Sequence, residues 1–248
     1  MNRIQCLGLG KRFSKNLAST MLFRMPRWGK ARGSDLFWAL HDIHLTVSGS
    51  GKWLGIVGAN GSGKTTLLRI IAGVTQPTQG TVIINGRVVP VIELYAGLQP
   101  ELSGRENVYL NGVILGMRRR EIRRKLESIV EFAGARRFLD MQLKHYSSGM
   151  VLRLAFSIAS HVDAEIILLD EAWSAADAEF YRKSIERLKQ LKRQGATTVL
   201  VSHDLDVVRQ LADDVAWLSG GRLVKVGPTD STLKAYVAAM NEPHHNTS

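Results

Sequence analysis

The feature that most constrains this chain is a glycine-rich loop between an apolar run and a helical segment. The run WLGIV (53–57) is followed directly by GANGSGKTT (58–66). In this strand–loop–helix context, the pattern G-x-x-x-x-G-K-T predicts a phosphate-binding P-loop. Glycines let the backbone turn its N–H groups toward phosphate oxygens, and the following helix start adds a positive dipole end. The predicted nucleotide-binding residues are Gly58, Ala59, Asn60, Gly61, Ser62, Gly63, Lys64, Thr65 and Thr66.

A second motif predicts the catalytic side of this site. The apolar run IILL (166–169) ends in Asp170 and Glu171. A buried strand of a parallel sheet would deliver Asp170 to the sheet's C-terminal edge, beside the phosphates. Asp170 and the Thr65 hydroxyl are the predicted Mg²⁺ ligands, and Glu171 would polarise a water for attack on the γ-phosphate. An acidic turn after a core strand is the ordinary alternative, and the P-loop upstream favours the catalytic interpretation.

The second half of the chain alternates between strand and helix patterns. Strands are predicted at 166–169 and 197–201, helices at 178–194 and 204–212, and a hairpin at VAWL–SGG–RLVKV. Shorter strands are predicted earlier, at 44–47, 81–84 and 87–94. Strands that alternate with helices predict a mostly parallel sheet with helices on both faces. Residues 228–248 are expected to be frayed, because the stretch is short and ends in polar residues.

The middle of the chain, about 104–160, has a helical pattern. Ser103 followed by Glu106 forms a capping box, and apolar residues then recur at helical spacing until Gly134. The predicted fold class is therefore α/β: a P-loop core, an antiparallel β subdomain and an inserted helical lobe.

Charge and composition narrow the class of protein. The net charge is +11, with eight cations and no acid in residues 1–34 and a second basic run, RRREIRRK (118–125). Such runs are explained by binding to nucleic acid, to an anionic lipid surface or to an acidic partner, or by a solvated helix face.

No stretch reaches the ~18 apolar residues of a membrane span, and no signal peptide is evident. Cys6 is the only cysteine, which excludes an internal disulfide and fits a reducing compartment.

Three further motifs carry a resemblance to a known family. YSSGMVLRLAFSIA (146–159), which includes Arg153, resembles the signature motif of ATP-binding cassette (ABC) ATPases. SAAD (174–177) is similar to the family's loop after the catalytic glutamate, and LVSHD (200–204) to its switch-histidine segment. With the P-loop and IILLDE, five motifs stand in the family's order, from about residue 40 to residue 227. On these motifs the chain is identified as a member of the ABC family.

The resemblance implies a mechanism and a set of site residues. Two cassettes would pack head to tail around two ATP molecules, each held by one copy's P-loop and the other's signature. Ser147, which is predicted to cap the helix 148–160, would lie with its neighbours against the partner's γ-phosphate. His203 would contact the γ-phosphate and hold the attacking water with Glu171. The nucleotide-contacting residues outside the P-loop would be Ser147, Ser148, Gly149 and Asp177.

Some positions depart from the family pattern. Ser148 stands where the family usually has glycine, and Met150 where it has glutamine. The form YSSGM, together with 98–112 and FWALHDI (37–43), resembles the branch of bacterial polysaccharide exporters. The glutamine that usually couples Mg²⁺ to the membrane partner is not evident, so Glu93 is the candidate and Gln99 the alternative.

The aromatic residue that stacks on adenine is also open. Phe13 and Trp38 are the two candidates, with Phe37 third, and any of them can equally be a core residue.

The function implied is that of an ATPase subunit that uses ATP and Mg²⁺ to drive a separate membrane permease. The cargo would be a lipid-linked polysaccharide such as an O-antigen, with teichoic acid as an alternative. The expected partners are the permease, a second copy of the chain and the inner-membrane surface, at its cytoplasmic face, with no nucleic acid. The permease would contact the groove near 93–105, and the N-terminal cations would face lipid headgroups. One domain, 1–248, is expected, without a C-terminal carbohydrate-binding module.

Two other classes compete with this interpretation. An ABC ATPase acting on nucleic acid is mildly favoured by the charge, but the basic runs lack interleaved aromatics for base stacking. A nucleotide kinase would share the P-loop but has no use for YSSGM or His203.

Overall fold

Two β-sheets and seven α-helices are seen in a computed structural model, whose described residues are 1–14, 36–92, 95–170 and 177–241. The smaller sheet is antiparallel, with the order β2-β1-β4. Its strands are β1 (Asn2–Ser14), β2 (Leu36–Ser48) and β4 (Gln79–Ile84). This is the predicted antiparallel subdomain, and its strands extend well beyond the predicted segments 44–47 and 81–84.

The larger sheet has the order β5-β6-β7-β3-β8-β9 and is parallel except for β9. Its strands are β3 (Trp53–Val57), β5 (Val88–Val91), β6 (Ile166–Leu169), β7 (Thr197–Val201), β8 (Asp214–Ser219) and β9 (Arg222–Pro228). Every residue of β3, β6 and β7 is buried, as continuous apolar strands covered on both faces should be. The predicted hairpin joins β8 to β9 through Gly220 and Gly221, both at positive φ.

The helices divide between the core and an inserted lobe. The lobe contains α2 (Gly104–Ile114), α3 (Arg119–Ala133) and α4 (Ser148–Ser160); the core carries α1 (Lys64–Ile71), α5 (Ala178–Arg193), α6 (Leu205–Leu211) and α7 (Thr229–Asn241). The capping box at Ser103 and the left-handed C-cap at Gly134 are both present, so these two sequence predictions are confirmed. Within the described ranges, no helix has both the length and the hydropathy needed to cross a bilayer.

The C-terminal segment differs from the prediction. Residues 229–241 form α7 rather than a frayed end. Leu233 is fully buried in a small core cluster with Val57, Val208 and Val215, and the Thr229 hydroxyl donates to the carbonyl of Ala212 at 2.9 Å. Burial of Leu233, with Tyr236 packed against the same cluster, supplies the stabilisation that a short polar-ended segment was expected to lack. Residues 242–248 lie outside the described residues.

Candidate functional site

The glycine-rich loop forms a tight cradle at the end of β3. A Cβ at Gly58 would lie 2.1 Å from the carbonyl oxygen of Leu218, and one at Gly63 would lie 2.5 Å from that of Ala39. Gly63 has φ 104° and precedes α1, which has no side-chain cap and no acid in its first turn. The N–H groups of an uncapped helix start favour a ligand that accepts hydrogen bonds, and an anion satisfies them best.

Two polar side chains inside the cradle support this assignment. Lys64 is only 6% exposed, and its Nζ donates to the carbonyls of Gly58 at 2.8 Å and Ala59 at 3.0 Å. A cation that is buried at the start of a helix, inside a glycine cradle, favours a negatively charged ligand there. The buried hydroxyl of Ser62 has no hydrogen-bond partner within the described part of the chain. The cradle therefore fits a polyphosphate.

The parallel sheet brings three predicted groups to one edge. Gly58, Asp170 and His203 follow β3, β6 and β7, which are parallel neighbours in the sheet. Because strands lie about 4.8 Å apart, Asp170 is two strands, or roughly 10 Å, from the start of the loop. His203 lines a cavity of about 260 Å³ with Lys64 and Thr65. Glu171 lies outside the described residues.

Aromatic residues close the other end of this cavity. Phe13 and Phe37 are a cross-strand pair on β1 and β2, with ring centroids 5.9 Å apart, and both line the cavity. Trp38 pairs with Arg12 instead, on the opposite face of the strands, with the guanidinium 5.5 Å from its ring. The alternation of the strand thus directs Phe37 toward the P-loop and Trp38 away from it.

The signature segment forms the exposed tip of α4. The Ser147 hydroxyl accepts a hydrogen bond from the N–H of Met150 at 3.2 Å, which confirms the predicted cap. Ser147 and Ser148 are exposed. A Cβ on Gly149 would come no nearer than 4.0 Å to any atom outside its neighbours and its own helix backbone. The tip is therefore open to an incoming molecule.

An ion pair connects this helix to the core. Arg153, on the second turn of α4, pairs with Asp177, which caps α5 by accepting from the N–H of Phe180 at 3.1 Å. That backbone hydrogen bond, followed by the Arg153 guanidinium, lowers the pKa of Asp177. The sequence motifs contain both residues, but not the contact between them.

Comparison with known proteins identifies the family. The model of the ABC transporter family matches residues 40–174, from β2 past the end of β6. The chain belongs to the ABC transporter family. It is an ATPase cassette of that family, and the fold class predicted from the sequence is confirmed.

Relatives and solved structures agree with this assignment. The O-antigen export system ATP-binding proteins RfbB of Myxococcus xanthus and Klebsiella pneumoniae are 42% and 41% identical. The matches cover 93% and 82% of this chain, but 54% and 82% of those proteins. The teichoic acids export ATP-binding protein TagH of Enterococcus faecalis is 43% identical over 85% of the chain and 47% of its own length. The dimeric structure of a bacterial ABC transporter cassette has a TM-score of 0.73, 25% identity, and covers 91% of this chain and 98% of that one.

The cassette also carries an apolar groove of about 120 Å³ between the core and the lobe. Ile92, Ala96 and Ile114 belong to its lining, and Ile114 is 56% exposed. The groove adjoins the predicted permease segment 93–105. Gln99 does not line it; its backbone N–H donates to Asn107 at 2.7 Å. Glu93 lies outside the described residues.

The C-terminal end of α4 is fixed by cations that the sequence motifs did not indicate. Arg187 of α5 donates to the carbonyl of Ser160 through Nη2 at 2.9 Å and Nε at 3.2 Å. Lys125 of α3 donates to the carbonyl of His161 at 2.8 Å. Cations at a helix C-terminus are favourable both as hydrogen-bond donors and toward the helix dipole. The signature helix is therefore held at both ends, by Arg153–Asp177 near the tip and by these donors at the base.

Proposed function

We propose that this cassette binds and hydrolyses ATP to drive export of a lipid-linked polysaccharide, such as an O-antigen, across the inner membrane. The observation that carries the proposal is the cavity that the buried Lys64 and the exposed His203 both line, beside a glycine cradle. The names of the relatives, O-antigen export system ATP-binding proteins, support the cargo.

Several residues that line the cavity, together with Glu171, have proposed roles in ATP binding and hydrolysis. Lys64 and the N–H groups at the start of α1 bind the β- and γ-phosphates, and Phe13 and Phe37 stack on the adenine. Glu171 accepts a proton from the attacking water, whose oxygen bonds to the γ-phosphorus as the bond to the β–γ bridging oxygen breaks. His203 binds the γ-phosphate and orients that water. These groups act by position and charge, as phosphoryl transfer requires.

The donor set at this edge fits Mg²⁺. Thr65 and Asp170 would hold the ion, with Glu93 as a further ligand, and the ion would neutralise charge on the phosphates. Among the described residues no cluster of three or more His, Cys, Asp or Glu forms a metal cage. Mg²⁺ usually binds through one or two carboxylates plus substrate phosphates, so such a cage is not needed.

A second copy of the chain is the proposed partner for the exposed tip of α4. Ser147, Ser148 and Gly149 would present the helix N-terminus to the nucleotide held by the other copy, with Asp177 nearby. The open space around Gly149 supports a close approach. The dimeric cassette of similar fold supports the same arrangement.

The proposed membrane partner is a permease, which would dock at the apolar groove beside segment 93–105. Exposed Val74 and Ile114 give the groove an apolar lining that an amphipathic permease segment fits. The cassette would therefore sit at the cytoplasmic face of the inner membrane.

ATP hydrolysis is tested with purified variants of the chain that carry substitutions at two glutamates. Glu171→Gln should retain ATP, release no phosphate and elute as a dimer, because the attacking water loses its base. Glu179→Gln is the matched control: Glu179 is exposed in the first turn of α5 and should behave as wild type. Lys64→Ala should lose ATP binding. A Glu171→Gln variant with wild-type turnover would remove Glu171 from its role.

The cargo is tested in the native host. Replacement of the gene by the Glu171→Gln allele should deplete the surface glycan and leave its lipid-linked form inside the cell. The polymer retained distinguishes the two cargoes, because teichoic acids contain phosphate in every repeat. A normal surface glycan would refute the export role while leaving the ATPase role intact.

A further inference from the structure

The N-cap and the first two turns of α3 carry an unusual concentration of positive charge. We call Arg118, Arg119, Arg120, Arg123 and Arg124 the arginine patch; all five are exposed. The opposite face of the helix is apolar and buried through Ile122, Ile129 and Val130. The patch therefore faces solvent while the helix remains anchored in the lobe.

The patch has few partners within the protein. Within the described part of the chain, none of the five side chains makes a hydrogen bond or an ion pair. The next cation, Lys125, contrasts with them, because it binds Glu121 at 2.9 Å and Asp163 at 2.7 Å. Lys125 is the main cause of the lowered pKa of Asp163, and Arg124 adds a longer-range attraction. Of the six cations in the run 118–125, one is thus used for structure and five are left exposed.

The placement of these arginines opposes the stability of their own helix. Cations at a helix N-terminus interact unfavourably with the helix dipole, and the like-charged pairs 119/123 and 120/124 are i,i+4 neighbours. The acids Glu127 and Glu131 lie in the last two turns, which is also the unfavourable end. Glu121 is the one acid of α3 at the favourable end, and it is already paired with Lys125. An external anion beside the arginines would relieve the remaining repulsion.

A concave surface lies within the patch. A cavity of about 370 Å³ is lined by Arg118, Arg120 and Arg124 together with the acids Glu121 and Asp163. Both acids are already bound to Lys125. Guanidinium groups present paired N–H donors that match the oxygens of a phosphate. The cavity thus suits a phosphate-bearing headgroup.

The position of the patch along the chain indicates which phosphate it meets. Ile114 and Leu115 line the apolar groove proposed for the permease, and Arg118 follows three residues after Leu115. Val113 and Ile114 are exposed aliphatic residues beside these arginines in the chain. Arginines next to exposed aliphatic side chains are typical of surfaces that rest on membranes, whereas nucleic-acid surfaces interleave aromatics, which the patch lacks. We propose that the arginine patch binds the phosphate groups of anionic phospholipids at the membrane surface. This interaction goes beyond the proposed function, because it requires neither ATP nor the permease.

The test compares two triple variants of the full chain. The patch variant carries Arg119→Gln, Arg120→Gln and Arg124→Gln. The control variant carries Arg182→Gln, Arg193→Gln and Arg222→Gln, exposed arginines of α5 and β9. Each variant removes three positive charges, so the two variants have the same net charge and the same overall attraction to an anionic membrane. Both also retain the basic N-terminal stretch.

Co-sedimentation uses vesicles with phosphatidylglycerol as about a third of the lipid, and pure phosphatidylcholine vesicles for background. Each basic residue near an anionic surface contributes roughly a fivefold factor in affinity. The patch variant should therefore bind at least about tenfold more weakly than the control variant. Equal binding by the two variants would overturn the proposal.

Two further measurements separate lipid binding from a structural role of the patch and from nucleic-acid binding. Thermal unfolding of the patch variant should occur at the same temperature as the control or higher, because repulsion within α3 is removed. A lower temperature would indicate a structural role and overturn the proposal. Binding to a duplex RNA should be equal in both variants; loss confined to RNA would assign the patch to nucleic acid instead. ATP binding is also measured in both variants. Because the lipid proposal does not require ATP, its failure can be distinguished from a failure of the ATPase proposal.

Discussion

Ser147 has one observed role and one proposed role, and a single substitution should separate them. Its hydroxyl caps α4 through the N–H of Met150 at 3.2 Å, and its exposed position would place it against the nucleotide of the other copy. Ser147→Asp keeps a capping oxygen but adds a negative charge where the γ-phosphate is proposed to lie. Ser147→Ala removes the cap without adding charge.

The structure sets the size of each effect. Loss of the cap in Ser147→Ala should cost about 1 kcal/mol of unfolding free energy. Aspartate caps as well as serine and gains about 0.3–1 kcal/mol from the helix dipole, so Ser147→Asp should be as stable as wild type or more so. A carboxylate about 4 Å from a phosphate oxygen is repelled by about 1 kcal/mol in water and about 4 kcal/mol at an effective dielectric constant of 20. The ATPase rate of Ser147→Asp should therefore fall between roughly fivefold and roughly 1000-fold.

The assays are urea unfolding and steady-state phosphate release on the same preparations. Ser103→Ala is the control, because the Ser103 hydroxyl caps α2 by accepting from the N–H of Glu106, also at 3.2 Å. It should lose at least as much stability as Ser147→Ala, because the Ser103 hydroxyl also donates to the Glu106 carboxylate at 2.7 Å, and it should keep its turnover per folded molecule. If Ser147→Asp is stable and hydrolyses ATP at the wild-type rate, the tip of α4 does not face a phosphate.

Three other predictions follow from local geometry. Gly63→Ala should abolish nucleotide binding in a fluorescence titration, because its Cβ would lie 2.5 Å from the Ala39 carbonyl. Gly61→Ala is the comparison, because a Cβ at Gly61 would meet no atom within 4 Å and should cost only about 1 kcal/mol of backbone strain. Equal losses of nucleotide binding in the two variants would contradict this prediction. Phe37→Ala should weaken ATP binding about threefold to tenfold through lost stacking, with Trp38→Ala as the neutral control. Burial lowers the pKa of His161 to about 4 from 6.5, so the unfolded chain binds its proton first as pH falls. Unfolding free energy should therefore drop between about pH 6.5 and pH 4, by at most about 1.4 kcal/mol per unit, and His161→Gln should flatten that slope in urea titrations.

Local sequence signals predicted the parts of the site that one segment determines. The P-loop, the cap at Ser147 and the capping box at Ser103 each depend on residues close in the chain, and each is present in the structure. The order of motifs around them was enough to predict the α/β core and the inserted lobe. Phe37 and Trp38 were harder, because the strand that contains them had been predicted only at 44–47. Without its register, the alternation that separates their faces was not visible.

Long-range contacts were not predictable in the same way. Arg187 and Lys125 reach carbonyls at the end of α4 from two other helices, and only tertiary structure brings them together. The helix α7 was wrongly expected to be frayed, although Leu233, Tyr236, Val237 and Met240 follow helical spacing. That pattern was available in the sequence. What the sequence did not provide was the cluster around Val57 and Val215 that buries Leu233.

Gly149 illustrates how stability data can mislead when variants of such a chain are interpreted. Its backbone is helical and its surroundings are empty, so alanine there should improve helix propensity and pass any screen for expression or melting temperature. In the proposed dimer, the added methyl group would be harmful because the second copy approaches there. Surveys that rank substitutions by folding alone would classify this position as tolerant, and the harm would become visible only in activity measurements on the proposed dimer.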